Sequence, residues 1–446
     1  MGLPFEVAVN EAGHLAPGGC DALELAGSYG TPLYIVDEEA VRRACRRYRN
    51  ALAGLEAGGM AAYAAKAFWV GGMAALVAEE GLGADVSSEA ELRLALRAGL
   101  DPGKLILHGN NKSRHEMELA VRLGVGRVVL DSLWELEQWE QVGAAAGRRV
   151  RVLLRLLPGV RAGAHGSIQT GHGDSKFGIP IEDGQAEQAV ERCMKSRWLE
   201  FRGYHVHIGS QILAIEPYRQ AASVVAEFAA RMASGTGAVC REIDMGGGLG
   251  ARYTDSDRPP SIESLVEAIA STLQAALARA GLPMPFLILE PGRSVVAEAG
   301  TTLYRMGAIK RLAAGQLVAA VDGGMSDNPR VALYQARYTA VLARSPYGVK
   351  GEPVQIVGRL CESGDILVER AELPPFESGE VLAVLTTGAY HHSMASNYNG
   401  LPRPPVVAVR NGQARLWVRR EAFEDMIATD VVLAAGPDGS PAGGTG

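Results

Sequence analysis

The sequence lacks the features that direct a chain to a membrane or to nucleic acid. No apolar run is long enough to cross a bilayer, and the opening MGLPFEVAVNEAGHLAPGG has no basic stretch followed by an apolar core, so we expect no signal peptide. Lys and Arg number 44 against 50 Asp and Glu, a net charge of −6. Because nucleic acids and anionic membranes require a basic face, we expect neither as a partner.

Cysteine is scarce as well. The cysteines are odd in number, and no two have metal or redox spacing; they are Cys20, Cys45, Cys193, Cys240 and Cys361. Without an export signal, we expect free thiols and a cytoplasmic location. The Gly/Pro/Ala-rich end AAGPDGSPAGGTG predicts a disordered tail over residues 431–446.

The central part of the chain alternates short apolar runs with helical patterns. The runs are GMAAYAAK (59–66), GADVSS (83–88), KLILHGN (104–110), GRVVLDS (126–132), VRVLLRLLP (150–158), FRGYHVHIGS (201–210), REIDMGGG (241–248) and PFLILEPGR (285–293). Alternating strands and helices indicate a parallel sheet, and eight units predict a closed (β/α)8 barrel over residues 38–297. The first two runs are rich in Ala and Gly, which do not favour strands.

The pattern of apolar runs and helical segments changes after residue 297. Apolar runs such as VQIVGRLCESGD and EVLAVLTTGAY follow one another without long helical patterns, and Asn411-Gly412 between two runs predicts a tight hairpin. We therefore predict a second, antiparallel, β-sandwich-like domain. It comprises residues 298–430 together with the opening segment 1–37.

Most of the barrel runs end in polar residues or glycine, which in a barrel meet at the C-terminal mouth, where active sites lie. Taken singly, each is better explained as a strand end or helix cap, and their convergence at one mouth is what favours a functional role. The residues are Lys66, Asp85, Asn110, Asp131, His207, Gly246, Gly247, Gly248, Glu290 and Arg293.

Three of these positions suggest chemistry. Lys66 has apolar neighbours, and desolvation would favour the neutral amine that forms a Schiff base, although a snorkelling lysine is the alternative. The glycines of GGGLG (246–250) could approach a phosphate, or form a plain turn; no Gly-Lys-Ser/Thr follows, so this is no nucleotide loop. Glu290 could face a pyridine nitrogen, with a Glu290–Arg293 surface pair as the alternative.

Two further features are ambiguous. His205 and His207 share one face of a strand, but we expect no metal, because no third histidine ends a neighbouring strand. One of them could stack on a cofactor and the other could be an interior residue. Cys361 lies beside Glu362, which disfavours a thiolate nucleophile and suits a proton donor, although a lone cysteine is usually inert.

In chain order from about residue 14 to 430, a series of segments resembles the signatures of the diaminopimelate decarboxylases, within the alanine-racemase-like pyridoxal-phosphate enzymes of fold type III. The segments are AYAAKAF, HGNNKS, DSKFGI, HVHIGSQI, MGGGLG, EPGRS, VDGGMSDNPR, CESGD and GAYHHSMASNYN. The resemblance implies decarboxylation of meso-diaminopimelate to lysine by a head-to-tail homodimer, with CESGD supplied by the partner chain.

By this resemblance Lys66 carries pyridoxal 5′-phosphate as a Schiff base, and Cys361 is the proton donor. The remaining cofactor contacts are Asp85, His207, Ser210, Gly246, Gly247, Gly248, Glu290, Pro291, Gly292, Arg293 and Tyr390. The substrate contacts are Arg293, Arg330, Tyr334, Glu362 and Tyr390. One departure is Val331, where the family usually has Pro.

Three alternatives remain open at this stage. A related decarboxylase could act on ornithine, arginine or a carrier-bound amino acid, which the cations Arg293 and Arg330 disfavour for substrates without a far carboxylate. A non-catalytic regulator would tend to lose Lys66 or Cys361, and both are present. A metal-dependent barrel hydrolase is the third.

Overall fold

The computed structural model describes residues 3–160 and 175–431. Within these residues, eight parallel strands close into a barrel, in which each strand pairs with its neighbours and the last pairs with the first. The sequence prediction of a (β/α)8 barrel is therefore confirmed. The expected tail, apart from Val431, and Asp174 of the DSKFGI segment lie outside the described residues.

The elements up to the end of the barrel are listed here in chain order. They are α1 (Ala22–Tyr29), β1 (Leu33–Asp37), α2 (Glu38–Ala53), β2 (Gly59–Ala64), α3 (Gly71–Glu79), β3 (Gly83–Val86), α4 (Glu89–Arg97), β4 (Leu105–Leu107), α5 (Arg114–Leu123), β5 (Arg127–Leu130), α6 (Leu133–Ala146), β6 (Val150–Leu157), β7 (Ile179–Pro180), α7 (Gln185–Lys195), β8 (Leu199–His205), α8 (Glu216–Thr236), β9 (Glu242–Asp244), α9 (Ile262–Arg279), β10 (Phe286–Leu289) and α10 (Arg293–Val296).

Close packing explains why the first two barrel strands are poor in typical strand residues. A Cβ on Gly83 would lie 2.2 Å from the carbonyl oxygen of Lys104, so only glycine fits at the start of β3. The barrel interior is filled by one small cluster of buried apolar side chains from five strands. Its members are Ala62, Ile106, Val129, Leu153 and Ile288.

Serine caps start several of the helices that follow the strands at the barrel mouth. The Ser88 hydroxyl accepts from the Glu91 amide to begin α4, and Ser113 and Glu116 form a reciprocal capping box at α5. Such caps satisfy backbone N–H groups that the first helical turn leaves without partners. They fix short loops at the end of the barrel where the polar residues converge.

The second domain follows the barrel. Its elements are β11 (Gly300–Arg311), β12 (Leu317–Val321), α11 (Arg330–Tyr334), β13 (Ala340–Leu342), β14 (Pro353–Val357), β15 (Ile366–Glu372), β16 (Val381–Leu385), β17 (Val406–Arg410), β18 (Gln413–Val418) and α12 (Phe423–Met426).

These strands form two sheets that share β11. One has the order β13-β16-β11-β1-β17-β18 and the other β11-β12-β14-β15, and the register of β11 shifts between Met306 and Ile309, where it passes from one to the other. The opening segment contributes β1, as predicted. The pairing is mixed, however, because β1–β17 and β12–β14 are parallel, so a purely antiparallel domain was too narrow a prediction.

The predicted hairpin is confirmed. Asn411 and Gly412 join β17 to β18, and both have a positive φ, 51° and 74°. Positive φ at both central residues matches the right-handed twist of the flanking strands, which is why Asn-Gly is favoured there.

A buried ionic cluster joins the barrel to this hairpin. The Arg42 guanidinium on α2 contacts Glu38 at 2.8 Å, Glu80 at 3.0 Å and Glu79 at 2.5 Å, and Arg415 of β18 reaches Glu38 at 3.2 Å. Because Glu38 and Glu80 are almost fully buried, each depends on these partners for its charge to be tolerated.

No helix within the described residues is sufficiently long and apolar to cross a membrane. All five cysteines have free thiols, as predicted.

Candidate active site

Lys66 lies in a short 3-10 turn, Ala65–Ala67, just after β2 rather than on the strand itself. Its Nζ lies 3.4 Å from the Oδ2 of Asp85, on the neighbouring strand β3. This carboxylate raises the pKa of Lys66 against the opposing effect of burial. The expectation that desolvation favours a neutral amine is therefore wrong for the protein alone, because Asp85 outweighs it.

Glu290 follows β10 and is buried between two imidazoles. Its Oε1 lies 2.5 Å from the Nε2 of His108, and its Oε2 lies 3.2 Å from the Nε2 of His205. Burial alone would raise the pKa of Glu290, but these two partners hold it well below its usual range. The sequence alternative of a Glu290–Arg293 surface pair is wrong, since Glu290 is buried and both of its oxygens have other partners.

His108 is the third histidine that the sequence analysis missed. The ligand atoms of His108, His205 and Glu290 lie within 4.8 Å of one another, so His205 is an interior residue of a polar network. Burial lowers the pKa of His205 to about 3. The sequence did indicate this residue, because His108 in the HGNNKS segment directly follows β4. However, β4 lies across the barrel from β8, and the sequence analysis considered only histidines at the ends of strands that neighbour the His205 strand.

The glycine loop packs against His207 and the residues after β10. The Gly247 amide donates to the Nδ1 of His207 at 3.2 Å, and burial, followed by the charge of Lys66, lowers the pKa of His207 well below its usual value. A Cβ on Gly247 would lie 2.2 Å from the carbonyl oxygen of Glu290, and one on Gly246 would lie 2.6 Å from that of Val206. Side chains are excluded, so the loop presents bare backbone.

Arg293 occupies the first position of α10 and is buried. Its guanidinium donates to the Ser210 hydroxyl at 2.9 Å and to the Tyr253 hydroxyl. Among the described residues, its buried Nε has no hydrogen-bond partner. An unpaired buried donor beside a glycine loop fits an anionic ligand such as a phosphate.

A second buried arginine lies among aromatic rings. Arg330, on α11, donates to the Tyr338 hydroxyl at 2.9 Å, and its Cζ lies 5.5 Å from the ring centres of both Tyr334 and Tyr390. The Tyr390 ring also lies 4.9 Å from Arg293 and so joins the two cations. Tyr390 has a φ of 63°, a strained value for tyrosine that is typical of functional positions.

These groups open into one cavity of about 420 Å3, within the usual range for small-molecule sites. The cavity is lined by the predicted residues Lys66, His207, Ser210, Gly248, Glu290, Gly292, Arg293, Arg330, Tyr334 and Tyr390. The structure places Asp85, Gly246, Gly247 and Pro291 directly behind this lining. Val331 sits beside Arg330 on α11 without displacing it, so the departure from the family's Pro leaves the arginine in place.

Cys361 and Glu362 are the exception. Both are exposed and neither lines the cavity of its own chain. Conversely, Arg155, Tyr253 and Tyr338 belong to the site and were missed. Arg155 on β6 lines the cavity, with its guanidinium 4.5 Å from the Phe177 ring. No motif marked Arg155, because a single arginine within an apolar strand pattern does not by itself indicate a functional site.

The site thus combines a lysine, a bare glycine loop with an arginine, and a buried carboxylate at one barrel mouth. This set fits pyridoxal phosphate, whose aldehyde, phosphate and ring nitrogen need these three kinds of partner. The family model described as "Pyridoxal-dependent decarboxylase, pyridoxal binding domain" matches residues 38–297.

The comparisons narrow the class further. Diaminopimelate decarboxylase from Bacillus subtilis is 42% identical over 429 residues, 96% of this chain and 97% of that protein. The crystal structure of M. jannaschii diaminopimelate decarboxylase in complex with L-lysine matches with a TM-score of 0.89 at 33% identity, covering 97% of this chain and 99% of the other. A lysine/ornithine decarboxylase from Vibrio vulnificus, at 23% identity and a TM-score of 0.73, shares the fold. The chain belongs to the diaminopimelate decarboxylase family of pyridoxal-dependent decarboxylases.

Proposed function

We propose that this enzyme decarboxylates meso-2,6-diaminopimelate to L-lysine and CO2, the last step of lysine biosynthesis, with pyridoxal phosphate bound at the barrel mouth. The observation that carries the proposal is the convergence of Lys66, the glycine loop, Glu290 and two buried arginines on one cavity. We also propose the domain division at residues 38–297, and a cytoplasmic location consistent with the free thiols.

Lys66 would hold the cofactor covalently, and Asp85 would keep its amine protonated whenever that amine is released. Ser210, Arg293 and the backbone of Gly246, Gly247 and Gly248 would hold the phosphate, with Tyr390 closing the pocket. His207, kept neutral by burial, would pack against the ring. When bound, pyridoxal phosphate supplies an electron sink for the pair left on the α-carbon as CO2 departs.

Glu290 would hold a proton on the ring nitrogen. A carboxylate does this only if it stays ionised, and His108 and His205 keep Glu290 anionic despite its burial. Arg155, which also interacts electrostatically with Glu290, contributes a further positive charge to this end of the cavity. The electron demand of the cofactor thus depends on a network of this chain's own side chains.

Substrate selection follows from the charges at the other end. Arg330 and Arg293 offer cations to carboxylate, Tyr334 and Tyr390 pack beside them, and Glu362 offers an anion to the distal amine. A substrate lacking the far carboxylate would leave a buried guanidinium without its anion, which is costly. This favours diaminopimelate over ornithine or arginine.

Cys361 would return the proton to the α-carbon, and it must come from a second copy of the chain. Within the described residues Cys361 and Glu362 are exposed and absent from the cavity of their own chain. Leu333, next in sequence to the cavity residue Tyr334, and Tyr398, next in sequence to the Asn399 that contacts Cys361, are also exposed. Exposed apolar side chains at both places suit burial in a two-fold interface. We therefore propose a homodimer with shared sites.

The decisive experiment is reductive trapping with borohydride, followed by mapping of the labelled lysine. We expect the label on Lys66, and Lys66→Ala should lose both the visible cofactor absorbance and activity. Labelling of another lysine would refute the proposal. Turnover of meso-diaminopimelate should exceed that of ornithine and arginine; faster CO2 release from either would refute the substrate assignment.

A separate variant tests the proton donor. Cys361→Ala should lower turnover while the cofactor stays bound, and Cys193→Ala, at a buried cysteine that does not line the cavity, serves as the control. Loss of the cofactor from Cys361→Ala would mean that the residue is structural.

A further inference from the structure

Asp365, the last residue of the CESGD segment, is buried and bonds both to its own loop and to a second loop. Its Oδ1 accepts from the Met325 amide at 2.6 Å, and its Oδ2 accepts from the Leu360 amide at 2.8 Å. Charge-assisted hydrogen bonds to backbone N–H groups of this length are strong. One carboxylate therefore fixes both loops at once.

The surrounding backbone leaves room for this carboxylate and for little else. A Cβ on Gly358 would lie 2.1 Å from the Asp365 Oδ2, and one on Gly324 would lie 2.6 Å from its Oδ1. Two glycines, one from each loop, thus pack against the same side chain. The arrangement constrains the distance between the loops, because neither can shift without losing a hydrogen bond or colliding with the carboxylate.

The two loops carry groups with different proposed roles. The first, residues 322–329, follows β12 and leads directly into Arg330, which lines the cavity of its own chain. The second, residues 358–365, follows β14, the parallel neighbour of β12, and carries Cys361 and Glu362. In the proposed dimer the first loop serves one active site and the second serves the other.

We propose that Asp365 is a positioning residue that couples the substrate-binding arginine of one active site to the proton donor of the other. The inference builds on the proposed function and its shared sites. The loop 358–365 has a second anchor in Asn399, whose side-chain oxygen accepts from the Cys361 amide at 2.8 Å.

Hydrogen exchange tests the coupling in the apoprotein, without any catalytic readout. Asp365→Ala should accelerate amide exchange in both 322–329 and 358–365, since Met325 and Leu360 each lose their acceptor. The matched control is Glu369→Ala, at an exposed carboxylate on the following strand β15 that accepts from the Gln355 side chain, its one hydrogen bond within the part of the chain that the structure describes. This variant should change neither loop. Acceleration confined to one loop overturns the proposal.

Mixed dimers, purified through two different tags, separate the two branches. Pairing Lys66→Ala with Asp365→Ala leaves one complete site, in which only the Arg330 loop is perturbed; we expect KM to rise about tenfold. Pairing the double variant Lys66→Ala/Asp365→Ala with wild type perturbs only the Cys361 loop at the surviving site; here we expect kcat to fall about tenfold with KM little changed.

The controls distinguish failure of this inference from failure of the proposed function. A mixed dimer of one Lys66→Ala chain and one Cys361→Ala chain should retain about half of wild-type activity, because one of its two sites is complete. If that control is inactive, the shared-site dimer is wrong; if it is active and either Asp365 branch is unchanged, the coupling is wrong. Should Asp365→Ala not fold, Asp365→Asn preserves the shape and presents an NH2 group to one of the two amides.

Discussion

Asp327 should make the stability of the second domain depend on pH in a way that one substitution removes. Its carboxyl is buried at the base of the loop that leads to Arg330, where it accepts from the Tyr304 hydroxyl and from the Gly324 amide at 2.9 Å. Burial, which outweighs these two donors, raises its pKa from 3.8 to about 7, and the nearby carboxylates of Asp365 and Asp322 act in the same direction.

The sign follows from proton linkage. Between pH 3.8 and about 7 the folded chain keeps the Asp327 proton while the unfolded chain releases it. The stabilisation is therefore complete below the unfolded pKa, and it is lost as pH rises through the folded value. With about 1.4 kcal/mol for each pKa unit, this one group accounts for roughly 4 kcal/mol across the interval.

Urea unfolding of the wild type and Asp327→Asn at several pH values between 4 and 8 isolates this contribution, since the other titrating groups are common to both proteins. We expect the wild type to gain stability relative to Asp327→Asn as the pH falls from 7 to 4, and the two to run parallel above pH 8. Parallel profiles throughout would refute the reasoning and place the pKa of Asp327 near its ordinary value.

Three further predictions concern single residues. Arg42→Met should lower the free energy of unfolding by about 3–5 kcal/mol, because it strands buried carboxylates, whereas Arg47→Met at an exposed pair should cost under about 1 kcal/mol; urea unfolding measures both. Gly247→Ala should weaken cofactor binding by about 1–3 kcal/mol, since its Cβ meets the Glu290 carbonyl; fluorescence titration of the apoprotein would show this. His108→Ala should lower kcat about 10- to 100-fold by removing a donor to Glu290, with exposed His115→Ala as the control, and an unchanged kcat would remove His108 from the mechanism.

The barrel could be predicted from sequence because strands buried on both faces leave continuous apolar runs, and each of the eight runs overlaps a barrel strand. The limits of the strands could not be predicted, since an apolar run does not show where hydrogen bonding between strands ends. β2 stops at Ala64, so Lys66 lies in a turn, and β8 stops at His205, so His207 lies beyond the strand. These two cavity-lining side chains lie past the strand ends, where the periodicity that marks a strand has already stopped.

The mixed pairing of the second domain was not predictable from local pattern either. β1 precedes the barrel by sequence yet lies between β11 and β17, parallel to the latter. Alternation and turn residues report on neighbours that are close in sequence, such as the β17–β18 hairpin. They carry no information on a pair separated by the whole barrel.

The charge state of the site could not be predicted without the three-dimensional arrangement, although some of the neighbours that determine it could be inferred from the sequence. Once β2 and β3 are taken as adjacent, Ala64 pairs with Asp85, which brings that carboxylate beside the lysine two residues later. The partners of Glu290 cannot be inferred in this way, because His108 and His205 come from strands that do not pair, β4 and β8. Side chains on strands that do not pair become neighbours only across the barrel axis. A sequence can therefore indicate which residues share the mouth, while the closure of the barrel determines which of them are charged.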